Sequence, residues 1–273
     1  MKIQYLGTAA AEGCPALFCQ CETCKTARAT GGKNVRTRSQ AMIDGKLDID
    51  FPADAYLHEL KWGLDYSRVQ HYIFTHEHRD HFYPDEFEDM DAPYGVVPEG
   101  HPGYDVYGSE DIVKASAAID GMPGNLRLHT MKPYRTYQAG DYQVTPVKAS
   151  HGTPHPFNYI ISDGAKTLFY MHDSGKPFEE TWQYFEERHI VFDLVSMDCT
   201  HGNVESLGYS SHMCFGYDKW LRDELLRTGH ATEKTVFVAN HFSHNGENVL
   251  YDDHAIYEAA GFVMSYDGLE IEF

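Results

Sequence analysis

The chain is poor in basic residues. It carries only 22 lysines and arginines against 41 aspartates and glutamates, so its formal net charge is −19 over 273 residues. A basic patch cannot dominate such a surface, which argues against non-specific binding to nucleic acid or anionic lipid. A local anion site remains open, because metals or a few arginines can reverse the field in one pocket. We therefore expect a small-molecule partner and no nucleic acid.

Long hydrophobic runs are also missing. No uninterrupted apolar stretch approaches the ~18 residues that a membrane-spanning helix needs. The opening segment 1–8 is too short and too polar for a secretory signal, and it predicts a first strand. We therefore expect a cytoplasmic protein that makes no membrane contact.

Cysteine is scarce and unevenly placed. Of the six cysteines, Cys19, Cys21 and Cys24 lie within six residues, which is too tight for a conventional disulfide ladder. A reducing compartment and a metal fit this spacing better. Histidine, in contrast, is abundant at 17 residues, and its clustering also points to metal.

Short apolar β-type runs alternate with helical patterns along the whole chain, with no repeat or linker between them. The predicted strands are 3–6, 39–43, 69–75, 104–107, 142–148, 158–162, 167–171, 190–197, 235–239 and 269–273. The predicted helices are 53–62, 110–119, 177–188 and 215–227. Strands in runs, with helices between the runs, favour two packed sheets with helices outside. We expect an α+β protein with a single domain over 1–273.

The strongest chemical signal directly follows the predicted strand 69–75. Four potential metal ligands fall within six residues there, namely His76, His78, Asp80 and His81. Imidazole and carboxylate suit Zn²⁺, Mn²⁺ and Fe²⁺, and two such ions ~3.5–4 Å apart form a hydrolytic site. The alternative is a polar surface loop that happens to be rich in histidine.

The pattern His-x-His-x-Asp-His after a strand resembles the signature of the metallo-β-lactamase-fold hydrolases. The resemblance implies a four-layer αββα sandwich with metals at one sheet edge. It also implies three further ligands, each at the end of a later strand, and the sequence supplies His151, Asp173 and His241 in that order. By this pattern one ion is held by His76, His78 and His151. The other is held by Asp80, His81 and His241, and Asp173 bridges both.

The three clustered cysteines form a second candidate site, in an N-terminal loop at about 14–25. Thiolates bind Zn²⁺ in tetrahedral geometry, and three of them leave one position for a fourth ligand. His244, three residues after His241, is the candidate for that position. The alternative is a set of free cysteines at a turn, because spacing alone does not prove a contact between such distant residues.

A narrower resemblance covers the whole chain. The first turn Gly7-Thr8, the Cys-x-Cys-x-x-Cys loop and a terminal His-x-x-His together resemble the PhnP-like phosphoribosyl cyclic phosphodiesterases of phosphonate metabolism, similar in outline to a carbon–phosphorus lyase accessory protein. Segments 197–201, 211–212 and 266–271 match as well. The resemblance implies a structural zinc on the three cysteines and His244. It implies His212 as the acid that protonates the leaving oxygen, and Asp80 as a residue that also orients the nucleophile.

These features predict a metal-dependent phosphodiesterase. It would use two catalytic divalent ions, Mn²⁺ or Zn²⁺ with Fe²⁺ as a further option, and one structural Zn²⁺. Two metals lower the pKa of a bridging water, so that hydroxide attacks a small phosphodiester, which the resemblance implies is a cyclic ribosyl one.

The alternatives are a PqqB-like protein of cofactor biosynthesis, which shares a similar zinc loop, and a non-catalytic metal-bound scaffold. Three nearby residues stay without an assigned role. Arg79 could meet a phosphate or pair with a carboxylate, and His155 and His201 are more typical of structural histidines. A homodimer is the default expectation for the assembly.

Overall fold

Two mixed β-sheets organise the chain in the computed structural model, which describes residues 1–119, 123–208 and 211–273. The strands are β1 (Lys2–Gly7), β2 (Gln40–Ile43), β3 (Leu47–Ile49), β4 (His71–Ile73), β5 (Tyr104–Gly108), β6 (Leu126–Thr130), β7 (Tyr137–Ala139), β8 (Tyr142–Lys148), β9 (Phe157–Ser162), β10 (Thr167–Met171), β11 (Leu194–Asp198), β12 (Val236–Asn240), β13 (Val263–Met264) and β14 (Leu269–Glu272). The first sheet has the order β14-β1-β2-β3-β4-β5-β6, and the second has the order β13-β12-β11-β10-β9-β8-β7.

Helices cover the outer face of each sheet. They are α1 (Glu22–Thr30), α2 (Ala55–Trp62), α3 (Glu110–Ser116), α4 (Glu179–Glu187), α5 (Phe215–Thr228) and α6 (His254–Ala259), with 3₁₀ turns at Gly32–Asn34, Tyr66–Arg68, Pro84–Met90 and Tyr251–Asp253. Helices α2 and α3 contact the first sheet, and α5 and α6 contact the second. Within the described ranges, no helix is long and apolar enough to cross a membrane.

The apolar core has three parts, as four layers require. One cluster lies between the sheets and includes Ile3, Ile49 and Tyr159. The other two lie between a sheet and its outer helices. Strands buried on both faces read as continuous apolar runs, and all five residues of β11 are buried. The predicted αββα sandwich is therefore confirmed.

The sheet topology brings several strand ends to one edge. Strands β10, β11 and β12 are parallel neighbours, and β8 runs in the same direction because β9 is antiparallel to both β8 and β10. In the first sheet β3 and β4 are also parallel. Residues that directly follow these strands can therefore meet at the edge of the sandwich.

Most predicted elements exist in the structure, but several short elements were not predicted and some predicted boundaries are inaccurate. The strands β3, β6, β7 and β13 and the helices α1 and α6 were not predicted, and β4 and β11 are shorter than the runs 69–75 and 190–197. Placing Cys24 in a loop was wrong, because it lies in the first turn of α1. The thiol of Cys21 caps this helix by accepting a hydrogen bond from the backbone N–H of Cys24. Capping is normally recognised from Ser, Thr, Asp or Asn, so a cysteine cap gives no familiar signal.

Candidate metal centre

The loop after β4 is folded so that its four predicted ligands converge. The backbone N–H groups of His81 and Phe82 both donate to the carbonyl of His78, at 2.9 and 2.8 Å. This turn curls the segment back on itself, and the N–H of Phe51 anchors it by donating to the carbonyl of His81. Four side chains from one short segment therefore point to one region.

The first cluster joins this loop to the ends of β8 and β10. Its members are His76, His78, His151 and Asp173, with one donor atom of each lying within 4.8 Å of the others. Nε2 of His151 lies 3.1 Å from Nδ1 of His78. Nε2 of His76 lies 3.2 Å from Oδ2 of Asp173. The structure thus brings together the first predicted ligand set.

The second cluster contains Asp80, His81, Asp173 and His241, and all four are buried. Nε2 of His81 lies 3.3 Å from Oδ2 of Asp80, 3.3 Å from Oδ2 of Asp173 and 3.3 Å from Nε2 of His241. Asp173 belongs to both clusters, which is the position that a bridging carboxylate requires. That these side chains bind metal stays a prediction.

The donor chemistry of the two clusters fits divalent cations. Imidazole nitrogens face each other at 3.1 Å between His151 and His78 and at 3.3 Å between His241 and His81. Nε2 of His76 is buried and makes no hydrogen bond of normal geometry within the described residues. Several lone pairs converging beside buried carboxylates are costly without a cation. Imidazole nitrogens and carboxylate oxygens in such groups suit divalent cations.

Neighbouring charges keep the acidic ligands ionised. Burial alone would raise the pKa of Asp173, but His241, His212 and His76 outweigh it and hold that pKa well below its usual range. For Asp80, burial is likewise outweighed by His81, so its pKa is also lowered. Burial lowers the pKa of His151 to about 4, so this imidazole is neutral at pH 7. Ionised carboxylate and neutral imidazole are the forms that bind metal.

Three residues at this edge have left-handed backbone conformations. The φ angles are 65° at Asp50, 53° at Asp173 and 62° at His241. Such a conformation costs a non-glycine residue on the order of 1–3 kcal/mol and persists mainly at functional sites. Asp50 and His241 directly follow β3 and β12, and Asp173 lies two residues after the end of β10, so all three lie at the sheet edge.

Sequence reasoning missed the residues that orient the ligands. Oδ2 of Asp50 lies 2.7 Å from Nδ1 of His81. Asp50 also accepts hydrogen bonds from the backbone N–H and the hydroxyl of Thr75. On the other side, Oγ1 of Thr200 lies 2.9 Å from Nδ1 of His241. The one available signal was that Asp50 lies just after a strand, β3, in the same way that the predicted ligand Asp173 lies just after β10.

Asp198 is a second missed carboxylate, and it holds His212. Oδ2 of Asp198 lies 3.1 Å from Nδ1 of His212, which is itself 2.9 Å from Oδ1 of Asp173. The backbone N–H groups of Ser174, Thr200 and Met213 donate to the Asp198 carboxylate and fix its position. Burial works against protonation of His212, but Asp198 and Asp173 outweigh it and raise its pKa to about 11. His212 therefore lies beside the clusters with two carboxylates within hydrogen-bond distance of its Nδ1.

The three cysteines and His244 also come together, and two of the thiols lie close to Nδ1 of the histidine. Cys19 Sγ lies 3.6 Å and Cys21 Sγ 3.5 Å from Nδ1 of His244, and all four residues form one candidate cluster. The hydrogen bond from the Cys24 N–H is the main factor that lowers the pKa of Cys21, to about 6. Burial raises the pKa of Cys24 to about 12. A closed Cys₃His set suits tetrahedral Zn²⁺.

The backbone just before the cysteine loop is hydrogen-bonded to the segment that carries His241 and His244. The Ala10 N–H donates to the carbonyl of Phe242, and the Phe242 N–H donates to the carbonyl of Thr8, both at 3.0 Å. The buried Arg36 donates to the carbonyls of Val249 and Ser265 and lies 4.5 Å from the ring centre of Phe242. The cysteine cluster and the cluster that contains His241 therefore share the chain segment from His241 to His244.

The three residues without an assigned role lie near the centre but differ in their partners. Arg79 is exposed and makes no ion pair within the described residues, so the expected alternative of a nearby carboxylate is not realised there. His155 lies 2.7 Å from Asp111 and 3.5 Å from Glu110, as a structural histidine would. His201 is half-buried, with its ring 6.1 Å from that of His212.

Comparisons with known proteins agree on the fold. A sequence model described as the Beta-lactamase superfamily domain matches residues 56–242. A diphosphatase from the PhnP family has a TM-score of 0.75 at 18% identity, over 100% of this chain and 97% of that one. Zn²⁺-bound PqqB from Methylobacterium extorquens has a TM-score of 0.72 at 18% identity, over 100% of both chains. The short form of human tRNase Z reaches 0.65 at 14% identity, over 100% of this chain and 99% of that one. Among curated protein sequences, none matches the chain significantly.

Proposed function

The chain belongs to the β-lactamase superfamily of metal-dependent hydrolases, and from that membership we propose that it hydrolyses a small phosphodiester. The observation that carries this proposal is the pair of ligand clusters that share Asp173, with His212 beside them. A shared carboxylate suits two metals held close together, and such pairs suit phosphoryl chemistry.

Seven side chains would hold the two catalytic ions, in the sets given by the clusters around Asp173. When bound, divalent metals supply an activated water and stabilise the charge that grows on the phosphoryl oxygens. Asp80 lies at the centre and would orient the attacking water by accepting a hydrogen bond from it. The catalytic ions would be Mn²⁺, Zn²⁺ or Fe²⁺, because the ligand types suit all three.

His212 would donate the proton that the leaving oxygen needs. Asp198 accepts from Nδ1 of His212, which fixes the ring and stabilises its protonated form. The geometry resembles other catalytic histidines, in which a buried carboxylate orients the ring. The side chain of His212 is 25% exposed, so it can be reached by a substrate while Asp198 stays buried.

The proposed substrate is a small molecule and not RNA. A net charge of −19 argues against an extended basic surface that would hold a polyanion in place. The family resemblance favours a cyclic ribosyl phosphate of phosphonate metabolism. A diphosphate is a second candidate, because one of the most similar structures is a diphosphatase of the PhnP family.

We further propose a structural Zn²⁺ on Cys19, Cys21, Cys24 and His244. A PqqB-like role or a metal-bound scaffold would keep this site without phosphodiester hydrolysis. The similarity to Zn²⁺-bound PqqB over its full length makes that the alternative to test.

The test combines metal content with an assay of diester hydrolysis. We expect about three metals per chain, of which one survives mild chelation. Bis(p-nitrophenyl) phosphate and a cyclic nucleotide should be hydrolysed after Mn²⁺ or Zn²⁺ loading. His212→Ala should keep its metals and lose activity by about 10²–10⁴-fold, which is the usual contribution of general acid catalysis.

His129→Ala is the matched control, because His129 pairs with Asp105 away from both clusters. It should keep full activity. Full metal loading without turnover of any diester would reject the phosphodiesterase and favour the PqqB-like or scaffold role. Turnover of a diphosphate alone would favour the second candidate, and fewer than two metals would reject the ligand assignment.

A further inference from the structure

A cavity of about 410 Å³ adjoins the candidate metal centre, and His151 forms part of its wall. Its lining comes from four places in the chain: the start of α3, the connection 130–133 after β6, the connection 148–157 between β8 and β9, and Phe178 in front of α4. Its size falls within the roughly 300–1,000 Å³ of small-molecule sites. The cavity is therefore placed to hold the part of a substrate that extends from the scissile phosphate.

The lining is mostly apolar. Met131 and Phe157 are almost fully buried, and three prolines lie around them. Phe178 is 42% exposed, so an aromatic ring faces solvent at the wall of the cavity. A sugar bearing several hydroxyls would find few partners on such walls besides hydroxyl groups such as that of Thr153, which makes no hydrogen bond within the described residues. A ring-shaped or otherwise apolar group would instead gain from burial there.

The charged side chains of the lining are paired, with one exception. Lys148 lies 2.7 Å from Glu180, and His155 pairs with Asp111 and Glu110. The ammonium group of Lys132 makes no ion pair or side-chain hydrogen bond within the described residues. Lys132 is exposed at the wall of the cavity, so its ammonium group can be reached by a ligand bound there. It is suited to an anionic group of a ligand.

We propose that this cavity selects a phosphodiester whose second organic group is apolar, of about the size of a ring, and ends in an anionic substituent. The apolar body contacts Met131, Phe157 and Phe178, and the substituent reaches Lys132. The inference rests on the proposed function, because His151 connects the cavity to the phosphoryl site. According to this inference, the preferred second organic group on the phosphate is apolar and is not a hydroxylated ribose.

The test uses diesters that share one leaving group, p-nitrophenolate, and differ in the other alcohol. The methyl, phenyl and 4-carboxyphenyl esters are compared by kcat/KM. We expect the phenyl ester to exceed the methyl ester by about tenfold, because a buried ring replaces a methyl group. The carboxylate should add about fivefold more through Lys132.

Two variants separate the contributions. Phe178→Ala should reduce the phenyl-to-methyl ratio by about fivefold, while Lys132→Gln should abolish the carboxylate advantage and keep the phenyl-to-methyl ratio. Leu226→Ala and Lys234→Gln are matched controls, being an exposed leucine and an exposed lysine outside the cavity. They should leave both ratios unchanged, and thermal melting checks that all variants are folded.

The outcomes distinguish this inference from the proposed function. Equal kcat/KM for the three esters, or ratios that respond to the controls as strongly as to Phe178→Ala and Lys132→Gln, would overturn the cavity assignment and leave a phosphodiesterase. Absence of turnover for all three esters by the metal-loaded protein would overturn the proposed function, and the cavity assignment with it.

Discussion

Asp50 accepts a hydrogen bond from Nδ1 of His81 at 2.7 Å, with both side chains fully buried. With Nδ1 directed at Asp50, Nε2 of His81 faces Asp80 and Asp173, each at 3.3 Å. A carboxylate behind a metal-binding histidine fixes its tautomer and increases its basicity. Asp50, at the end of β3, therefore orients His81, a predicted metal ligand in the loop after β4.

Replacing Asp50 by Asn should weaken the site. Asp50 accepts from His81 and from two donors of Thr75, whereas an amide has one acceptor oxygen and must turn its NH₂ towards a donor. We expect activity or metal affinity to fall by about 10–100-fold, measured by metal titration and diester hydrolysis.

Asp48→Asn is the matched control for this variant. Asp48 is equally buried, but it contacts Gln40 and not a ligand. Burial raises the pKa of Asp48 well above its usual value, which opposes the charged form. Equal losses in the two variants would show that Asp50 acts through stability alone.

The cysteine cluster should influence the catalytic clusters. Cys21→Ser removes one thiolate from the cluster that includes His244, which lies three residues after His241. We expect loss of the chelation-resistant metal and a weaker affinity for the remaining two, by up to about tenfold. Cys14→Ala is the control, since this buried cysteine lies outside the cluster. Full activity and full catalytic-metal content in Cys21→Ser would contradict the coupling.

Arg36 should stabilise the fold strongly. It is fully buried and donates to Thr8, Val249 and Ser265. Arg36→Met would leave two carbonyl groups without a donor, so we expect the free energy of unfolding to fall by about 3 kcal/mol in a denaturant titration. Arg135→Met, at an exposed arginine, should change it by less than about 0.5 kcal/mol. A similar effect of both variants would refute this role.

His58 should make stability depend on pH. Burial lowers its pKa from 6.5 to about 4 in the folded state. Between these values the unfolded chain binds a proton that the folded chain does not, so stability falls as the pH decreases from 6.5 to about 4. Above pH 6.5 both states are neutral and the contribution is constant.

The variant His58→Gln isolates this effect from that of the metal ligands. It should be less stable overall, because His58 bonds to Thr37 and Gln40. Its unfolding free energy should nevertheless fall less steeply with acid, by roughly 1 kcal/mol per pH unit between pH 6 and 5. Parallel pH profiles for the two proteins would exclude His58 as the source.

The ligand clusters could be predicted from sequence because their chemistry is concentrated. Four ligands share six residues, and the others follow strands whose apolar character is clear. Asp50, after β3, and Asp198, the last residue of β11, could not be found in this way, because an aspartate at a strand end is more often a turn residue. Their roles depend on which strands are neighbours, and the order β3-β4 and β10-β11-β12 is set by tertiary packing.

The fold was predictable at the level of layers and less so in its details. Strands such as β10 stand out because an apolar run is bounded by turn residues. The three residues of β3 are too few for any periodicity, and β13 has only two. The cavity beside His151 was not predictable, because its walls come from four separate segments.

The Cys₃His cluster also sets an order of events during biosynthesis. His244 follows Cys19 by 225 positions, so the ribosome delivers the thiols long before their nitrogen partner. Throughout that interval the nascent chain displays Cys19, Cys21 and Cys24 without the fourth member. Oxidation or capture of a foreign ion in this interval would trap the loop before it can pair with the segment of Phe242. If these four residues bind Zn²⁺ as proposed, the complete site can therefore form only after His244 has been synthesised.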